Sequence, residues 1–183
     1  MIQALVFDFD GLIVDTETPL VDAWESVHVR RGIACDRSVL SGAVGHVGID
    51  FDPWAAFGPS ANRQELEDEY RRHARSLTWS QPLLPGVETL LHEARSRGLR
   101  LGVASNSPRA HVEGHLQRVG LLAHFDAIRC IEDVAAGKPA PDIYLASVAA
   151  LGAEPGRTIA FEDSLPGHLA AKRAGLHCVV VPN

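Results

Sequence analysis

"LVFDFDGLIVDTE", residues 5–17, decides how the rest of the chain is read. Its first half is a short apolar run without helical period, which predicts a buried β-strand. The run ends in two aspartates, Asp8 and Asp10, with Gly11 behind them. Carboxylates at the mouth of a buried strand are costly to desolvate unless something positive meets them. The pair is therefore either a solvated strand end or a site that holds a cation and does chemistry. The residues at the ends of the other strands discriminate.

Beyond this stretch the pattern turns helical. From about Thr16 to Arg31, Leu20, Trp24 and Val27 recur at helical spacing, with Thr18-Pro19 as the expected N-cap and first turn. Residues 36–60 are mixed and punctuated by Gly, Asp and Pro, which predicts short helices. "SANRQELEDEYRRHARSL", residues 60–77, is a charged amphipathic helix with Leu66, Tyr70 and Leu77 on one side. After "PLLPG" the texture alters. Helices ending at Gly98, Gly120, Gly152 and Gly175 alternate with the strand-like runs "LRLGVAS", "FDAIRCI", "RTIAFED" and "LHCVVVP". That alternation predicts an α/β fold: a Rossmann-like parallel sheet in a three-layer α/β/α core, from residues 1–15 and 84–183. Residues 16–83 are expected to form a helical cap subdomain inserted after the first strand.

Composition narrows the function classes. The chain has 183 residues, 46% of them apolar, and a formal net charge of −6 with both signs interspersed. This argues against a general nucleic-acid or anionic-membrane binder, and it leaves a small anionic substrate open, because local charge governs a pocket. Cys35, Cys130 and Cys178 are far apart and lack metal-type spacing, so they read as reduced thiols. Neither a signal peptide nor a membrane-spanning run is legible, and a cytoplasmic location is expected. Nothing marks an interface, so a monomer is expected.

In open parallel sheets, ligands bind beyond the carboxyl ends of the strands. The first predicted strand is followed by Asp8, Asp10 and Gly11; the second by Ser105, Asn106 and Ser107; the third leads to Lys138; the fourth is followed by Glu162, Asp163 and Ser164. Carboxylates, hydroxyls and one lysine thus meet at one sheet edge, the set that Mg²⁺-dependent phosphoryl transfer needs. Mg²⁺ takes about six hard oxygens, typically one or two carboxylates with waters and a substrate phosphate oxygen. Asp8 and Asp163 are the obvious carboxylates, with Glu162 as a further ligand or an anchor behind them. Lys138 and the cation would offset the charge of a phosphoryl group. One carboxylate can then attack phosphorus, and a second, two residues on, can serve as acid and then base. Ser105 would hydrogen-bond the phosphoryl oxygens.

"DFDGLIVDTE", "VASNS", "GKPAPD" and "FEDS" together closely resemble the four motifs of the haloacid dehalogenase superfamily, in order and at intact spacing. The subgroup resembled is that of phosphoglycolate-phosphatase-like and β-phosphoglucomutase-like proteins with a helical cap. The resemblance implies Asp8 as nucleophile and Asp10 as acid/base, the backbone carbonyl of Asp10 also binding Mg²⁺. It implies Ser105 and Lys138 as phosphate ligands, and Glu162 and Asp163 on the metal side. Gly11 and Asn106 join the expected phosphate-binding set. Members acting on carbon–halogen or phosphonate bonds are expected to lack an aspartate where this chain has Asp10, so phosphate esters of small metabolites are favoured. The mutase-like pattern carries a histidine where Leu20 stands and a lysine where Pro108 stands. A plain phosphatase is accordingly expected, with a sugar phosphomutase as the alternative and a non-catalytic phosphate- and Mg²⁺-binding regulatory protein as the alternative of another class. Relatives usually continue beyond a strand like "CVVVPN", which leaves a naturally short chain or a truncated one.

Other features read as structural. Ser107 is expected to cap the next helix, leaving Ser105 free for phosphate. The i, i+4 pair His111 and His115 is expected to be solvated on a helix face, since the intervening Glu is misplaced for a zinc protease. His46, in the glycine-rich "GAVGHVG", is a candidate substrate contact from the cap. Trp54 and Phe57 are expected to be cap core.

Overall fold

The computed structural model describes residues 1–43 and 52–182. The strand predicted at the N-terminus, β1 (Ala4–Phe7), is buried at all four positions. A strand apolar on both faces must be covered on both, which places it inside a parallel sheet. It pairs on one side with β2 (Arg100–Ala104) and on the other with β4 (Thr158–Glu162). β3 (Ala127–Arg129) lies outside β2, and β5 (His177–Val180) outside β4. The order is β3-β2-β1-β4-β5, all parallel.

Successive side chains of β1 point to opposite faces and seed two cores. Leu5 and Phe7 pack with Leu91 of α4 (Val87–Ser96) and with Val112 and Leu116 of α5 (Arg109–Arg118). Ala4 and Val6 pack with Ile143, Tyr144 and Val148 of α6 (Asp142–Leu151) and with Ala170 and Ala171 of α7 (Leu165–Arg173). The three-layer α/β/α architecture expected from the sequence is thus present. No helix among the described residues is long and apolar enough to cross a membrane.

The chain divides into two compact units, Met1–Val14 with Pro82–Asn183, and Asp15–Gln81. The second unit holds α1 (Thr18–Val29), α2 (Arg37–Ala43) and α3 (Arg63–Ser80). Its core gathers Val27, Trp54 and Leu66, and Trp24 stacks on Tyr70 with ring centroids 4.7 Å apart. Thr18 does not cap α1 as its sequence position suggested. Asp15 accepts hydrogen bonds from the backbone N–H groups of Glu17 (3.2 Å) and Thr18 (3.0 Å) instead. The Asp15 carboxylate precedes the helix and faces its first N–H groups, whereas Thr18 is already the first helical residue.

Candidate active site

The carboxyl ends of β1, β2 and β4 bring the predicted residues to one edge of the sheet. Asp8 stays in the ladder, its N–H donating to Phe161 O at 3.0 Å, so its side chain emerges where β1 ends. Its Oδ1 accepts from the N–H of Phe9 at 2.7 Å and lies 2.7 Å from Lys138 Nζ. The same ammonium is 2.6 Å from Oε1 of Glu162, the last residue of β4. Glu162 is wholly buried. Tyr144 of α6 donates its hydroxyl to Oε1, and Ser164 donates to Oε2 at 3.1 Å. Asp163 completes the group: one carboxylate oxygen from each of Asp8, Glu162 and Asp163 lies within 4.8 Å of the others.

Charge explains what this cluster can hold. Burial, above all, pushes the Asp8 carboxyl well above the usual carboxylate range; Lys138 opposes that, while Glu162 and Asp10 add to it. Burial also disfavours the Lys138 ammonium, but Asp8 and Glu162 outweigh it and hold Lys138 above its ordinary value. Three carboxylates against one ammonium leave two formal negative charges in a largely dry site. Hard oxygens with a divalent deficit suit Mg²⁺, so the residues fit the ion that the sequence motifs imply.

Asp10 projects from the turn after β1 into a different set of partners. Its Oδ2 accepts from Ser107 Oγ at 2.6 Å and from Ser105 Oγ at 3.3 Å, and its Oδ1 lies 2.9 Å from Nε2 of His111. Ser107 therefore does not cap α5. The cap position is Pro108, and the Glu132 carboxylate accepts from the Arg109 N–H at 3.0 and 3.1 Å. Ser105, expected to be free, accepts from the Ser107 N–H at 3.0 Å.

The expectation of solvated histidines on α5 is also corrected. His115 is 2% exposed, and His111 lies edge-on to Phe9 with centroids 5.6 Å apart. Burial first, then His111 and Arg118, bring the pKa of His115 down to about 4. The signal was present in the sequence. Val112, His115 and Leu116 share the i, i+3, i+4 stripe that faces the core, and His111 sits one turn before His115.

Asn106 uses both ends of its amide on the backbone of Lys138: Oδ1 accepts from the N–H at 2.8 Å and Nδ2 donates to the carbonyl at 3.2 Å. It anchors the segment that presents the lysine. The N–H of Gly11 donates to Val14 O at 2.9 Å and its φ is +75°, so this glycine serves the turn behind Asp10. His46 lies outside the described residues. Tyr144, like His111 and Ser107, was not picked out as a site residue from the sequence.

Known proteins resemble this chain over nearly its whole length. A family model described as haloacid dehalogenase-like hydrolase matches residues 2–175. The protein YhcW of Bacillus subtilis (strain 168), described as a putative phosphatase, is 40% identical over 187 residues, covering 100% of this chain and 84% of that one. Hexitol phosphatase B of Escherichia coli (strain K12) is 36% identical, covering 99% of this chain and 84% of that enzyme. Among solved structures, CbbY from Rhodobacter sphaeroides in complex with phosphate superposes with a TM-score of 0.69 at 30% identity, covering 100% of this chain and 87% of that one.

Proposed function

The chain belongs to the haloacid dehalogenase-like hydrolases, and from that premise we propose that it is a Mg²⁺-dependent phosphatase of small phosphate esters acting through an aspartyl-phosphate on Asp8. The observation that carries this reading is Lys138, whose ammonium bridges Asp8 and Glu162 beside Asp163. A carboxylate so placed has a fixed direction and a compensated charge. Asp8 and Asp163 would hold the cation, while Glu162, with both oxygens engaged by Lys138, Tyr144 and Ser164, steadies the lysine from behind. When bound, Mg²⁺ would draw charge from the phosphoryl oxygens and keep Asp8 ionised.

In this reading, an Asp8 oxygen attacks phosphorus as the bond to the ester oxygen breaks, and Asp10 gives its proton to the departing alkoxide. Asp10 then takes a proton from water, whose oxygen attacks phosphorus, freeing inorganic phosphate and restoring Asp8. Ser105 and Lys138 bind the phosphoryl oxygens through both steps. The inserted helical unit, Asp15–Gln81, is assigned the choice of leaving group and the role of cap. Hexitol phosphatase B among the relatives supports polyol and sugar phosphates as the class to test first.

The test is phosphate release from a panel of polyol, sugar and other metabolite phosphates, with Mg²⁺ or EDTA. Turnover should require Mg²⁺, and Asp8→Asn should lower it by about three orders of magnitude or more, as removal of a nucleophile does elsewhere. Release that persists in Asp8→Asn would remove the aspartyl-phosphate from the scheme. Interconversion of a hexose phosphate without release would replace the phosphatase by a phosphomutase.

A further inference from the structure

The Asp10 carboxyl is gripped at both oxygens. Ser107 holds Oδ2, and His111, from outside the four sequence motifs, reaches Oδ1. We propose that His111 is a positioning residue for Asp10, fixing the plane and direction of the carboxyl that protonates the leaving group. The role rests on the phosphatase reading.

The histidine is itself held. His111 is the third residue of α5, whose start is tied down by the Glu132 carboxylate at the Arg109 N–H and by the Arg109 guanidinium, 2.5 Å from Asp133. Its ring lies against Phe9 and against the buried His115, the latter at a centroid distance of 4.7 Å. Packing therefore sets the imidazole, and the imidazole sets the carboxyl. A carboxyl has two side-chain torsions, and fixing both oxygens fixes both torsions; a reacting group held this way needs no reorientation before proton transfer.

The chemistry also favours an imidazole over a permanent cation here. A lysine or arginine would hold Asp10 ionised and so prevent it from acting as an acid. An imidazole N–H serves the carboxyl in both of its states. With Nε2–H donating to Oδ1, the acid proton rides on Oδ2, from which it can pass to the leaving group, and the same bond persists to the carboxylate once that proton has gone.

The experiment compares kcat/KM for phosphate monoesters ranging from nitrophenyl to simple alkyl leaving groups, in wild type, His111→Ala and His111→Gln. A poor leaving group needs Asp10's proton and a good one does not. His111→Ala should therefore lose about tenfold or more on alkyl esters and at most about threefold on the nitrophenyl ester, a part of the 10²–10⁴ that general acid catalysis provides. His111→Gln, which keeps a donor near the place of Nε2, should recover most of the loss. An equal loss on every ester would make His111 structural, and no loss would remove the role; either overturns the proposal. Should His111→Ala fail to fold, the Gln variant is read alongside the ring ¹⁵N spectrum of histidine-labelled protein. Asp10→Asn should move the His111 resonances there, and an unmoved spectrum overturns the contact. Wild type that releases phosphate from none of the esters would instead sink the phosphatase reading, and this inference with it.

Discussion

Glu162 ends β4 with no exposure to solvent, and a glycine makes room for it. A Cβ built on Gly167 would fall 2.0 Å from each of the carboxylate's three atoms, a separation that real Cβ atoms do not adopt. Those oxygens hold Lys138, Tyr144 and Ser164, so displacing them displaces the lysine. Gly167→Ala is expected to lower phosphate release at least tenfold and to cost about 1–3 kcal/mol in stability, as overpacking does. Gly156→Ala is the control, since its Cβ would meet nothing within 4 Å; it should leave activity unchanged and shift stability by less than about 1 kcal/mol. Denaturant unfolding and phosphate assays on both variants decide this. If Gly167→Ala matches Gly156→Ala, the carboxylate can relocate freely and Glu162 is not the anchor described.

At the scale of elements, the start of α7 and the site share one side chain. Ser164 accepts from the Gly167 N–H at 3.2 Å, capping the helix, and donates to Glu162 Oε2 at 3.1 Å. Ser164→Ala should cost about 1 kcal/mol from the lost cap and also reduce kcat, because the carboxylate loses a donor. Ser164→Asp restores a cap acceptor but sets a negative charge against Glu162, so it should recover stability poorly and activity not at all. Rescue of both by Asp would show that capping alone matters. The same element scale explains what was legible in advance. A parallel sheet brings its strand ends to one edge whatever the side chains do, so Asp8, Ser105, Lys138 and Glu162 could be placed from their positions after predicted strands. The misassigned residues are those with two local uses. Ser107 had the spacing of a cap, yet its hydroxyl turns to Asp10 while Glu132, distant in sequence, takes over the helix end. His111 carried a helical address, but nothing local says that α5 runs past the mouth of β1. Such choices depend on which neighbour packs alongside, and periodicity within one helix does not carry that information.

For the whole molecule, the decisive quantity is the sign of charge. The chain carries −6 overall, and the acidic group of Asp8, Glu162 and Asp163 has Lys138 as its internal counter-charge. Folding gathers these carboxylates, whereas the unfolded chain spreads them through water. On the proposed reading a divalent cation would bind the folded state and not the unfolded one, and it should raise the melting temperature by mass action. At a hundred times its dissociation constant the gain is about 2.7 kcal/mol, or roughly 5–10 °C for a chain of this length. MgCl₂ should produce this shift, and NaCl at matched ionic strength should not, because screening acts on exposed charges and scarcely on a buried cluster. EDTA should reverse it. Asp163→Asn removes one of the cluster's negative charges while leaving the Lys138 bridge in place, so the apparent Mg²⁺ affinity read from the same melts should fall by about tenfold or more. A melting temperature indifferent to Mg²⁺, or an Asp163→Asn protein that responds as wild type does, would mean that the cluster is neutralised by protonating Asp8 rather than by a cation.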